Sequence, residues 1–174
     1  NKNGDKFHPV ITNIFGSFKA LELIFGRDVD NIAKEIAALL KPKKPNSMKE
    51  KFDFFSYLLG LKSIFPKRLK GKGISQECQM EPNLYKLPVL KTWDDDGGAF
   101  ITMGQVYTKT LNGTTQNLGM YRLQIHSQNE LGMHWQIHKD AAHFFHEYKQ
   151  AGQKMPVSVA IGGDPLYIWC GQAP

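Results

Sequence analysis

Hydrophobic positions follow a helical period through the first third of the chain. Their spacing predicts a helix over residues 18–25, with Ser17 as its N-cap. It predicts a second helix that opens at Asp28 or Asp30 and runs through Leu40. The N-terminal part of the chain is therefore expected to be mainly helical.

A third helix is predicted to begin near Ser47, because Ser47 and Glu50 have the spacing of a capping box. From about Val89 the pattern changes to the alternation that is typical of strands. Four strands are predicted, over residues 99–108, 117–125, 131–138 and 157–161. One helix, from Asp140 to about Gln150, interrupts them. Helices followed by a largely antiparallel meander indicate an α+β fold or a small barrel.

The segment from Gln116 to Lys139 carries the most side chains suited to chemistry. In a strand over residues 131–138, alternation places three apolar residues on one face and three polar ones on the other. The polar face would carry His134, Gln136 and His138. Two imidazoles and an amide on one strand face are more typical of a site than of a solvated surface.

Two of these histidines stand four residues apart, which places His134 and His138 on one face. Neutral imidazole is a common ligand of divalent transition metals. Asn117 adds an amide oxygen, which manganese or magnesium accepts, although a carboxylate ligand would still be needed. A histidine pair without a third ligand is more often a feature of packing or of a surface, so spacing alone favours that interpretation over a metal site.

Arg122 follows Tyr121 on an otherwise apolar predicted strand. A guanidinium on a rigid element suits the binding of a carboxylate or phosphate. An outward-facing arginine on the polar side of the strand is the equally weighted alternative.

Two glycine-containing stretches favour turns. The run of acids and glycines at 93–98 predicts a turn before a strand, and it lacks the spaced acids and closing glutamate of an EF-hand. Residues 162–165 predict a strand-to-helix turn with Asp164 as N-cap and Pro165 at the first helical position. This second stretch does not match a phosphate-binding loop.

Composition narrows the class of protein. The 174 residues are 41% hydrophobic and include 11 Phe, which suffices for a packed core. No apolar run approaches the roughly 20 residues that cross a bilayer, and the start of the chain is unlike a signal peptide. We therefore expect a soluble, cytoplasmic protein, with peripheral membrane association left open. The two cysteines, without C-x-x-C spacing, argue against a thiolate metal site and a disulfide scaffold.

The formal charge of +6 would suit an anionic partner. Much of the excess is local, in the lysine-rich segments 41–45 and 67–73. Such runs between periodic elements are most often solvated connections, and no nucleic-acid motif is present. Solvated connections are therefore favoured over a nucleic-acid-binding arm.

Five segments together resemble the UbiD-type family of prenylated-flavin-dependent (de)carboxylases. They occur in the family's order and spacing and cover most of the chain outside residues 27–86. They are TNIFGS at 12–17, LPVLKTWDDDGGAFITMG at 87–104, NLGMYRLQIH at 117–126, GMHWQIHK at 132–139 and MPVSVAIGGDP at 155–165.

The resemblance implies a split β-barrel flavin-binding domain over residues 86–174, preceded at 1–85 by part of an α/β N-terminal domain with a basic linker. It also implies that the chain is part of a longer enzyme. The family's metal-binding glutamate and two catalytic acids are expected beyond Pro174. A homo-oligomer is implied as well.

The resemblance further implies prenylated FMN, with its phosphate tied to the protein through Mn²⁺ or another divalent ion and with K⁺ nearby. Asn117 and His138 match the family's metal ligands. The residues that match flavin-contacting positions are Met120, Tyr121, Arg122, His134, Trp135, Gln136 and Lys139. Asp140 stands where the family often has glycine, so no direct phosphate contact is expected there.

Arg122 matches the family's active-site arginine and is the predicted catalytic residue. The implied activity is decarboxylation of an aromatic or α,β-unsaturated acid, such as a hydroxybenzoate in quinone biosynthesis. A flavin prenyltransferase would supply the cofactor. The alternative is a flavin- or metal-binding module without decarboxylase activity, because the catalytic acids are not in the chain.

Overall fold

The computed structural model describes residues 11–40, 46–61 and 69–172. The described helices are α1 (Phe18–Phe25), α2 (Val29–Leu40), α3 (Met48–Leu61), α4 (Asp140–Gln150) and α5 (Pro165–Cys170), with short 3-10 turns at Ile74–Gln76 and Leu84–Lys86. The described strands are β1 (Phe100–Lys109), β2 (Gln116–Ile125), β3 (Leu131–Met133) and β4 (Ser158–Ala160). None of the described helices is long and apolar enough to span a bilayer.

The described chain divides into two units. One combines the described parts of residues 1–25 and 82–174, and the other is Gly26–Glu81. The boundary predicted near residue 85 stays a prediction. The lysine-rich segment 41–45 and the first residues of the segment 67–73 lie outside the described residues.

Side-chain caps are present at the N-termini of both described α-helices of the unit Gly26–Glu81. The Asp28 carboxylate accepts a hydrogen bond from the Asn31 N–H at 2.8 Å. Of the two predicted candidates, Asp28 is therefore the N-cap of α2. At α3 the Ser47 hydroxyl accepts from the Glu50 N–H at 3.2 Å, while the Glu50 carboxylate accepts from the Ser47 N–H at 3.3 Å. The predicted capping box is confirmed.

A four-stranded antiparallel sheet forms the centre of the other unit. Its strand order is β3-β2-β1-β4, and within the described residues β3 and β4 do not pair to close it. In the β1–β2 register, Gly104 lies opposite Tyr121 and Thr108 opposite Asn117. A Cβ at Gly104 would overlap the buried Leu123 side chain, so glycine at this position lets Leu123 pack against the backbone of β1. The α+β class is confirmed as a mixed fold with this sheet.

β3 is shorter than the alternation of residues 131–138 predicts. Met133 is the last residue paired with β2, opposite Leu123. Beyond it, the Trp135 ring stands edge-on to the Tyr121 ring, with 5.2 Å between the ring centres. The same ring stacks on that of Phe145 in α4, with 6.1 Å between the centres. Because the chain turns here to place the indole between β2 and α4, the prediction of one polar strand face through residue 138 is wrong.

The sheet packs against α4 around a small apolar core. Its fully or nearly fully buried members are Ile101, Val106, Tyr121, Leu123 and Ala141. The buried Gln105 amide donates to the Gly162 carbonyl at 3.0 Å and so ties β1 to the loop before α5.

The segment after that loop returns to β2. Asp164 accepts from the Leu166 N–H at 2.9 Å and Pro165 is the first helical residue of α5, as predicted. At the end of α5 the Gly171 carbonyl accepts from the Met120 N–H at 3.0 Å. This contact holds the end of the described chain beside the middle of β2.

Candidate functional site

A cavity of about 760 Å³ lies along β2, β3 and the segment that leads into α4. We call it the β2 cavity. Six residues predicted from the sequence line it: Met120, Tyr121, Arg122, His134, Gln136 and Lys139. Three predicted residues do not, namely Asn117, Trp135 and His138. The cavity therefore gathers most of the proposed flavin-contacting residues.

The period of a strand explains this division within β2. Successive side chains point to opposite faces, so Met120 and Arg122 face the cavity while Asn117 and Leu123 face α4 and the core. Tyr121 is on the core side and 4% exposed, yet it also lines the cavity. β2 thus presents different chemistry on its two faces.

Arg122 is held by two groups that were not among the site residues predicted from the sequence. Its Nη2 atom donates to the Asp96 carboxylate at 2.8 Å, and its guanidinium lies 3.6 Å from the centre of the Phe100 ring. The arginine side chain remains 40% exposed, whereas that of Asp96 is 13% exposed. An ion pair and a cation–π contact therefore orient the guanidinium, and its other nitrogens make no hydrogen bond within the part of the chain that the structure describes.

The loop that carries Asp96 is fastened to β2. The Gln124 amide donates to the Gly97 carbonyl at 2.9 Å, and Gln124 and Phe100 are register partners between β2 and β1. The signals in the sequence were the acids before the two glycines and the aromatic residue just after them. Only the pairing of β1 with β2 shows that these residues meet Arg122.

Tyr121 joins the cavity to the core. A Cβ at Gly119 would overlap its ring, so β2 leaves room for the ring by having glycine there. The Lys139 ammonium lies 5.7 Å from the ring centre. The pKa of the phenol is raised, mainly because the group is buried. The Ala141 backbone N–H opposes this rise, and the Asp140 carboxylate adds to it. The hydroxyl makes no hydrogen bond of standard geometry within the described residues.

Replacing Tyr121 with phenylalanine is expected to reduce the loss of stability at alkaline pH. Because the folded-state pKa lies above the ordinary 10.0, the unfolded phenol ionises first, and stability falls as the pH rises above that value until it passes the folded pKa. The Tyr121→Phe protein has no phenol to ionise at this position, so it does not lose stability in this way. Guanidinium unfolding at neutral pH and above pH 10 measures the difference.

Tyr107 supplies the matched control, since its side chain is 43% exposed. Tyr107→Phe should keep the alkaline loss of the wild type. Identical pH dependence of unfolding in wild type and Tyr121→Phe would contradict the linkage.

Neither of the predicted metal ligands lines the cavity. The Asn117 Nδ2 donates to the Asp140 Oδ2 at 3.2 Å, and the Asn117 Oδ1 is buried without a hydrogen-bond partner in the described chain. His138 is exposed, in the turn before α4. Within the described residues, no group of three or more His, Cys, Asp or Glu side chains could hold a metal ion. The metal roles of Asn117 and His138 stay predictions.

Comparison with known proteins identifies the chain's relatives. Residues 67–174 match the family model of UbiD, described as a 3-octaprenyl-4-hydroxybenzoate carboxy-lyase Rift-related domain. An uncharacterised protein of Helicobacter pylori strain J99 is 50% identical over 167 residues, which are 95% of the chain and 27% of that protein. A 4-hydroxybenzoate decarboxylase subunit from Chlamydia pneumoniae is 37% identical over 176 residues, covering 100% of the chain and 29% of its own length.

Solved structures agree with the family match. The closed form of vanillic acid decarboxylase from Sedimentibacter hydroxybenzoicus is 22% identical with a TM-score of 0.70, over 97% of this chain and 34% of that one, which shows a shared fold. The UbiD-class enzyme HmfF from Pelotomaculum thermopropionicum, in complex with prFMN, is 27% identical with a TM-score of 0.53, over 56% of this chain and 23% of that one. The chain thus spans about a quarter to a third of the relatives it matches.

Proposed function

The chain belongs to the UbiD family, and on that basis we propose that the full-length protein is a prenylated-FMN-dependent carboxy-lyase. The substrate is an aromatic or α,β-unsaturated carboxylic acid, for which a hydroxybenzoate precursor in quinone biosynthesis is our first candidate. Relatives named as decarboxylases of 4-hydroxybenzoate and vanillic acid support the substrate class.

The observation that carries this proposal is the setting of Arg122 in the β2 cavity. Its Nη2 is bound to Asp96, which leaves the other guanidinium nitrogens for a second carboxylate. Held between Asp96 and the Phe100 ring, the guanidinium needs little reorganisation when a substrate carboxylate binds. Arg122 therefore orients the carboxylate that is to be lost.

The remaining cavity residues suit a large planar cofactor. The apolar Met120 and Phe100 lie beside polar groups, His134, Gln136 and Lys139, so the surface combines flat contact area with hydrogen-bond donors. When bound, prenylated FMN supplies an electron sink for the negative charge that loss of carbon dioxide leaves on carbon. In our proposal Trp135 acts from outside the cavity, by packing against Tyr121.

Asn117, on the face of β2 away from Met120 and Arg122, fits a ligand of a divalent ion. The buried Oδ1 of Asn117 has no hydrogen-bond partner in the described chain, which is unfavourable for an amide oxygen unless a cation or donor binds it. We propose that Asn117 and His138 hold Mn²⁺ at the flavin phosphate, with K⁺ nearby and with a further ligand from outside the chain. An amide oxygen with an imidazole nitrogen is an acceptable donor set for manganese.

The architecture and partners of the full-length protein complete the proposal. We propose that residues 86–174 form part of a split β-barrel and that residues 1–85 belong to an N-terminal α/β domain. We also propose a homo-oligomer in the cytoplasm that is supplied with cofactor by a flavin prenyltransferase. Two names support oligomerisation alone: one relative is named as a subunit, and the HmfF structure is of an evolved dimeric form.

The test is to produce the full-length protein together with a flavin prenyltransferase. We expect a modified flavin in the absorption and mass spectra of the purified protein, and release of carbon dioxide from at least one aryl acid. Protein produced without the prenyltransferase is the control and should release none. A modified flavin without turnover would favour the binding module, and absence of both would overturn the proposal.

A further inference from the structure

Asp140 and Asn117 are 23 residues apart in sequence and meet between the first turn of α4 and the start of β2. The Asn117 Nδ2 atom lies 3.2 Å from the Asp140 Oδ2 atom. On the same amide, Oδ1 is buried and has no hydrogen-bond partner in the described chain. One half of this amide is therefore satisfied by a carboxylate, while the other half is unpaired.

The chemistry of the two groups determines whether the nitrogen or the oxygen of the Asn117 amide faces Asp140. An ionised carboxylate only accepts hydrogen bonds, whereas an amide donates through nitrogen and accepts through oxygen. The reverse orientation would bring the Asn117 oxygen against the Asp140 oxygens, which is repulsive. The Asp140 carboxylate therefore keeps the amide nitrogen toward α4 and the oxygen turned away from it.

We propose that Asp140 is a positioning residue, which acts through Asn117 by orienting its amide oxygen toward a divalent cation. The inference rests on the proposed function and deepens its metal site. Partners that orient a metal ligand typically change metal affinity by about 10- to 100-fold when they are removed. Asp140 gives this chain such a partner.

Three other roles of Asp140 lead to different expectations. As an acid in the first turn of α4 it stabilises the helix N-terminus, an effect that does not depend on Asn117. As a direct ligand it would bind metal even without the amide. As a mere negative charge near the site, it would attract the cation without orienting anything; Lys139 lies next to it and opposes that attraction.

A double-mutant cycle separates these roles. Mn²⁺ is titrated into full-length protein saturated with FMN, for wild type, Asn117→Ala, Asp140→Ala and the double variant. We expect Asp140→Ala to raise the Mn²⁺ dissociation constant by about 10- to 100-fold in the wild-type background and to change it little in the Asn117→Ala background. Thermal unfolding of the same proteins without metal measures the helix contribution separately.

Two further variants make the cycle specific. Asp140→Asn keeps an oxygen that can accept from Asn117 Nδ2, so it should retain part of the affinity, whereas a role through charge alone would make it as weak as Asp140→Ala. Glu147→Ala removes an equal charge from the same helix about 10 Å further along, and should leave Mn²⁺ binding unchanged.

The outcomes distinguish this inference from the function it rests on. An equal loss of Mn²⁺ affinity from Asp140→Ala in both backgrounds, or no loss in either, overturns the positioning role while a wild-type protein that binds Mn²⁺ and releases carbon dioxide keeps the proposed function. A wild-type protein that binds no Mn²⁺ overturns the proposed metal site and the positioning role together.

Discussion

Replacing Arg122 with alanine in the full-length protein is expected to lower kcat/KM for the acid substrate by about 100- to 1,000-fold. The guanidinium is preorganised by Asp96 at 2.8 Å and by the Phe100 ring, so its removal takes away the group that orients the carboxylate. Manganese content should stay near wild type, because Asn117 faces the opposite side of β2. Flavin should stay with it, because in our proposal the ion at the phosphate, and not Arg122, retains the cofactor. Steady-state kinetics together with metal and flavin analysis measure both effects.

Arg27 offers a matched control, because it is also an arginine paired with a carboxylate, that of Glu35 at 2.9 Å, but on an exposed surface. Arg27→Ala should leave turnover unchanged, since exposed ion pairs contribute little to the stability of the fold. If flavin content in Arg122→Ala fell in parallel with turnover, Arg122 would be retaining the cofactor rather than orienting the substrate.

Replacing Asn117 with alanine is expected to produce the other large effect, a joint loss of manganese and modified flavin from the purified protein. Its buried Oδ1 is the atom proposed to bind the ion at the flavin phosphate, and we expect Mn²⁺ affinity to fall by at least about 10-fold. His138→Ala should show the same joint loss. Metal analysis and the flavin spectrum of purified protein provide the measurement.

Neighbouring residues of the same chemical type control for nonspecific effects. Gln116→Ala removes an exposed amide from the adjacent position of β2, and His143→Ala removes an exposed imidazole from α4. Neither should change metal or flavin content. Cofactor occupancy that is equal in Arg122→Ala, Asn117→Ala and His138→Ala would contradict the proposed division of roles.

Local chemistry made much of the fold predictable. The caps of α2, α3 and α5 depend on side chains that bond to backbone groups two or three residues away, so Asp28, Ser47 and Asp164 identify themselves in the sequence. β2 was predictable because its buried residues alternate with more exposed ones, and the second half of β1 follows the same pattern. β3 was not, because the burial of Trp135 against Tyr121 and Phe145 outweighed an alternation that would have continued the strand.

In the candidate site, too, some features follow from the sequence and others only from the tertiary structure. The sequence alone determined which side chains have the required chemistry, and its family motifs selected Asn117, Arg122 and His138, because residue type and spacing are local properties. Only the tertiary structure decided their partners: Asp96 reaches Arg122 and Asp140 reaches Asn117 across 26 and 23 residues. Such contacts depend on strand register and on the placement of α4, which arise from packing of the whole unit and not from any short segment.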